Sequence, residues 1–189
     1  MKRTLIVTVL IWAVMMTTVS AFDDQRRGFV IGGGLGFCPS AKWEAERPVF
    51  NPPRINDETG SGGALNVLMG YAWDNYNMIV FEANVVSFES EFGILDGKKI
   101  SQGFNGAVWY HYFGPQGASF YTAVGIGMYV WDVEAYRRND AGGAILFGAG
   151  YEFTKHVQVG GYLAAGETSR SAVSFDNSHF SILVSAVAF

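Results

Sequence analysis

A single cysteine, Cys38, stands in 189 residues. No intrachain disulfide is possible, and with three histidines the chain offers no zinc-ligand spacing. Charge is scarce too. Asp, Glu, Lys and Arg make up 16% of the chain, against roughly a quarter in a soluble domain. The formal net charge is −4, and it becomes −6 once Lys2 and Arg3 are removed with the N-terminal segment. That sign excludes the basic surface that nucleic-acid binding requires. Beyond residue 21 no stretch reaches the roughly 20 apolar residues of a membrane-spanning helix. Ile31-Gly32-Gly33-Gly34-Leu35-Gly36 is glycine-rich but lacks the following Lys-Ser/Thr of a phosphate loop. Nothing in the sequence calls for a cofactor or a metal.

The N-terminus carries an address. Lys2 and Arg3 precede an apolar run from Leu5 to Met16, and small residues lead to Ala21. This is the pattern of a secretory leader, with cleavage expected after Ala21. Residues 1–21 are therefore set apart as a signal peptide, and residues 22–189 are expected to form one domain.

Hydrophobic residues nevertheless make up 49% of the chain, so they must be dispersed in short elements. Eight alternating segments hold them: 28–38, 62–73, 78–89, 102–114, 119–131, 142–154, 156–167 and 178–189. Each is long enough for a tilted membrane strand of about 9–11 residues. In the second, Leu65, Val67, Met69, Tyr71 and Trp73 share one face, opposite Ala64, Asn66, Leu68, Gly70 and Ala72. In the sixth, Ile145, Phe147, Ala149, Tyr151 and Phe153 oppose Leu146, Gly148, Gly150 and Glu152. One face is bulky and apolar and the other small or polar. A soluble sandwich would charge its second face; a narrow barrel in lipid turns the bulky face outward and fills its interior with the small one.

Charge placement agrees. The stretches 39–61, 90–101 and 132–141 collect most of the charges, and within the segments only Glu82 and Glu152 lie deep. A charge facing lipid near the midplane costs about 2–4 kcal/mol. The gaps after the second, fourth and sixth segments are short, and those after the first, third, fifth and seventh are longer and polar. Short periplasmic turns and long external loops alternate in this way in transmembrane barrels, and an even strand number puts both termini in the periplasm. Tyr71, Trp73, Tyr76, Tyr110, Tyr112, Phe113, Tyr151 and Phe153 would form an aromatic girdle at the periplasmic rim. The fold expected is all-β: an eight-stranded antiparallel up-and-down transmembrane β-barrel after a cleaved signal peptide.

On these features residues 28–189 resemble the small outer-membrane β-barrel proteins of the OmpA/OmpX-like, porin-family type. The resemblance implies a bacterial outer-membrane location and outer-membrane lipid as the surroundings. It also implies that the C-terminal strand, with Leu183, Val187 and terminal Phe189, is the signal read by the barrel-assembly machinery. Ser185 interrupts that apolar series.

By phase Glu82, His111, Glu152 and Gln158 point inward towards the periplasmic half, with no inward Lys or Arg to pair the carboxylates. Such a cluster fits a hydrogen-bonded plug, because eight strands leave barely enough room for side chains; the alternative is a narrow path for ions or small solutes. The long loop 39–61, with Trp43, Phe50 and Ile55 among prolines and charges, is the candidate contact with a surface partner. His179-Phe180-Ser181 resembles the His-x-Ser motif of outer-membrane lipid A deacylases, implying a serine nucleophile with a histidine base. That family's acid follows the serine. None follows Ser181 here, leaving Glu167 and Asp176 as substitutes. The leading expectation is a non-enzymatic structural or surface-interaction barrel with a mostly plugged lumen. A small porin is second, and a lipid A-modifying hydrolase third.

Overall fold

The computed structural model describes residues 25–45, 58–89, 97–133, 136–170 and 173–189. The leader assigned to 1–21, and Phe50 and Ile55 of the first loop, lie outside them. Eight strands account for nearly all of the described chain. They are β1 (Gly28–Ala45), β2 (Glu58–Ala72), β3 (Asn77–Glu89), β4 (Lys99–Tyr112), β5 (Ser119–Val133), β6 (Tyr136–Thr154), β7 (Val157–Arg170) and β8 (Val173–Ala188). Each pairs antiparallel with its sequence neighbours, and β1 pairs with β8 to close the barrel. Closure leaves no free sheet edge, which is the condition for a sheet to cross lipid.

The alternation sorts as expected. Leu35, Phe81, Phe120, Ile126 and Phe147 are all more than half exposed on the outside, while Asn66, Glu82, Asn84, Tyr110, Tyr121 and Tyr162 are buried inside. The barrel is thus apolar outside, and within it these polar groups sit among apolar side chains such as Leu68, Phe104 and Leu146.

Several expectations need correction. Strand β1 does not stop at Cys38. Pro39 falls where the register shifts between Cys38 and Ala41, and a bulge is where a strand tolerates a residue without an N–H. The strand resumes and turns Trp43 inward, with 6% of its surface exposed. Trp43 is therefore a lumen residue, not part of an external loop. The stretches after the fifth and seventh segments are not long loops either. Strands β5 and β6 stay paired to Val133 and Tyr136, and β7 and β8 to Arg170 and Val173. Polar strand ends read as loops in the sequence because charge and strand pairing are compatible beyond the apolar band. Finally, even-numbered residues of β4 face inward. Tyr110 and Tyr112 are therefore buried and leave the girdle, and His111 turns outward between Trp109 and Phe113.

Candidate functional site

The lumen holds a stack of polar layers. At the short-turn end, where the chain enters β1, Arg26 folds under the barrel and is 1% exposed. Its guanidinium forms an ion pair with Glu152, itself 2% exposed. It also donates to the carbonyl of Asn75 in the β2–β3 turn and, at 3.4 Å, to that of Gly114 in the β4–β5 turn. Its Cζ lies 3.8 Å from the centre of the Tyr112 ring, a cation–π contact strengthened by the burial of both groups. The Gly117 amide donates to Glu152 at 2.8 Å. One buried arginine thus ties the entering chain to two turns and the end of β6. The expectation that no cation reaches the inner carboxylates fails here: Arg26 precedes the strand, so strand phase could not reveal it.

Above it lies a tyrosine layer. Tyr112 donates to Gln158 Oε1 at 2.9 Å, and the Tyr121 and Tyr162 hydroxyls lie 2.8 Å apart. The rings need room, and glycine supplies it. A Cβ on Gly150 or Gly160 would collide with the Tyr121 hydroxyl. Glu82, wholly buried, accepts from Tyr110 at 2.5 Å and from Asn66 Nδ2 at 3.1 Å. Ser185 donates to Asn66 Oδ1 at 3.3 Å. The serine that interrupts the C-terminal apolar series is therefore part of this layer. Leu183, Val187 and Phe189 also face inward and are buried, while Ile182 and Val184 face lipid.

The next layer contains the His-x-Ser pair. Ser181 donates to Asn84 Oδ1 and His179 Nε2 lies against the same oxygen, both at 3.3 Å. His179 Nδ1 is 2.8 Å from the Tyr129 hydroxyl. An amide oxygen only accepts, so Nε2 carries the proton and Nδ1 accepts from Tyr129. Neither nitrogen is placed to take the Ser181 proton. Glu167 and Asp176, the substitute acids, are exposed on the outer face. The pair is a hydrogen-bonded layer of the core, without the geometry of a nucleophile and its base.

At the other end of the barrel Trp43, Trp131 and Phe175 pack together, with ring centres 5.9–6.3 Å apart. Of the predicted inner cluster, Glu82, Glu152 and Gln158 are in place but in two layers, while His111 is outside, 2.9 Å from Asn77 Oδ1 through Nδ1. The sequence pattern alone does not single out Arg26, Asn84 or the tyrosines as site residues. Their signal was the inward phase of tyrosines opposite glycines, and two arginines directly before a strand whose neighbours carry inward acids.

A closed eight-stranded antiparallel barrel with an apolar exterior and a hydrogen-bonded polar lumen defines an integral outer-membrane β-barrel protein set in membrane lipid. The chain belongs to the family described as outer membrane protein beta-barrel domain, whose model matches residues 9–186. It is similar in fold to Neisserial surface protein A, with a TM-score of 0.52 and 13% identity, covering 84% of this chain and 96% of that one. The outer membrane protein OprG from Pseudomonas aeruginosa gives a TM-score of 0.51 at 14% identity, covering 86% and 96%. No curated protein sequence matches the chain.

Proposed function

We propose that this protein is a non-enzymatic outer-membrane barrel whose lumen is plugged and whose work lies on its outer surface. The observation that carries this reading is the Arg26–Glu152 ion pair across the short-turn mouth, backed by the layer of Tyr110, Tyr112, Tyr121 and Tyr162. A permeating solute would have to displace a buried ion pair and break several hydrogen bonds. In this reading residues 1–21 are removed as the leader and both termini lie in the periplasm. The C-terminal strand, with Leu183, Val187 and Phe189, engages the assembly machinery. The segment around Phe50 and Ile55 remains the candidate contact with a surface partner. Similarity to a protein named as a surface protein fits this assignment.

A liposome-swelling assay tests it. Proteoliposomes of the wild-type barrel should swell in small sugars and amino acids no faster than empty liposomes. Swelling that scales with protein content would favour the small-porin reading.

A further inference from the structure

The outer wall of β4 carries an amide at a depth where lipid demands an apolar residue. Odd-numbered residues of this strand face outward, among them Ala107 and Trp109, and Asn105 shares their phase. Trp109 donates from Nε1 to Asn77 Oδ1 at the foot of β3 and so marks the short-turn interface. Asn105 lies four residues beyond it, about 13 Å along the strand at 3.3 Å per residue. Strands of such barrels tilt by about 35–45°, so this is about 10 Å of depth in an apolar band about 25 Å tall. The amide is therefore near the middle of the hydrocarbon.

The sheet gives this amide no partner. Asn105 pairs with Ala83 on β3 and Met128 on β5. The outward residues beside those two are Phe81, Val85, Ile126 and Val130, all apolar. Among the described residues the Asn105 side chain has no hydrogen bond. Ser87 and Ser101, farther along the same outer face, differ: they satisfy each other, with hydroxyls 2.7 Å apart. An amide unpaired in hydrocarbon is costly, and lipid tails offer it neither donor nor acceptor. The wall is also low around it, since Ala83 stands opposite and Gly103 and Ala107 are its outward neighbours on β4.

The partner must therefore come from outside the barrel and bring both a donor and an acceptor to mid-membrane depth. A second copy of this chain does so with the same residue. A primary amide is self-complementary: each of two facing amides gives one N–H and accepts one. A two-fold axis through this point brings each residue near it against itself in the other copy. Small residues around a polar one let two membrane walls approach closely enough for that bond. We propose that two copies of this chain pack in the membrane through the β3–β4 face, with their Asn105 amides hydrogen-bonded to each other. The face is on the outer wall, so the inference stands or falls apart from the plugged lumen.

Energy transfer between donor-labelled and acceptor-labelled barrels in phosphatidylcholine vesicles tests it. The wild type should show transfer above that of random mixing, falling as lipid is added. Asn105→Leu should weaken association about tenfold, the scale of a hydrogen-bonded pair in a bilayer. Asn105→Gln, which keeps the amide, should retain most of it. Ala83→Phe, which raises the low wall, should weaken association without touching the amide. All three substitutions are on the lipid face, so the variants should keep the heat-modifiable mobility of a folded barrel. Wild-type transfer no greater than random mixing would overturn the proposal and leave the face to lipid or to a different protein. A photo-crosslinker at Ala107 in whole cells would tell those two apart. Transfer that persists unchanged in both Asn105→Leu and Ala83→Phe would also overturn it, by placing the contact on another face.

Discussion

Arg26 and Glu152 are separated by 126 positions in the chain, yet they form a buried ion pair at the barrel mouth. The pair ties the segment entering β1 to the end of β6, and so fastens the first strand to the sixth. Removing one partner leaves an uncompensated buried charge, which costs about 3–5 kcal/mol. Arg26→Ala and Glu152→Gln should both lower the denaturant midpoint of the refolded barrel. Arg26→Met combined with Glu152→Leu should recover most of the loss. A double-mutant cycle from urea unfolding in lipid vesicles checks this, and additive losses would contradict the pairing.

The tyrosine layer depends on glycine. Gly160→Val would press a side chain against the Tyr121 hydroxyl and the Tyr162 ring. Overpacking of this kind costs about 1–3 kcal/mol. The fraction of heat-modifiable protein after refolding should fall in Gly160→Val and recover in part when Tyr121→Ala is added.

The outer face reverses the rule for a soluble protein. Ile126 is 71% exposed in the middle of β5. On a water-facing surface Ile126→Arg would change stability little. Facing lipid it should cost about 2–4 kcal/mol, measured by reversible unfolding from vesicles. A negligible change would place this face in water.

Asp74 organises the β2–β3 turn. Its Oδ1 accepts from the Tyr76 and Asn77 amides, both at 2.7 Å, and Asn77 Nδ2 lies 3.0 Å from both carboxylate oxygens. The Asn77 side chain, followed by the two amides, holds this carboxyl below its ordinary value. A depressed folded-state pKa contributes stability above the unfolded pKa, and that stability is lost as pH falls through the folded one. Asp74→Ala should therefore lower the melting temperature at neutral pH, and the gap from wild type should close below the ordinary carboxylate range. A gap that persists at the lowest pH would show that the contribution is not electrostatic.

Most of the barrel was legible in the sequence because membrane strands obey a strict two-residue period with opposite demands on each face. Ile79/Glu82, Ile126/Gly127 and Phe147/Gly148 each declare their side. Strand ends were less legible. Beyond the apolar band lipid no longer sorts side chains, so the paired residues Lys42 and Glu44 read as loop, although the strand only bulges after Cys38. His111 shows the other weakness: a phase misread by one residue exchanges lumen and rim. Arg26 was illegible for a different reason, since it reaches the lumen by folding of a segment that has no strand phase.

Single-channel recording in planar bilayers tests the plugged lumen most directly. The account predicts no resolved conductance steps from the wild-type barrel, and steps appearing in Arg26→Ala/Glu152→Ala, which removes both partners of the ion pair at the mouth. Well-resolved steps from the wild type, unchanged in that variant, would contradict it and make the lumen a conducting path.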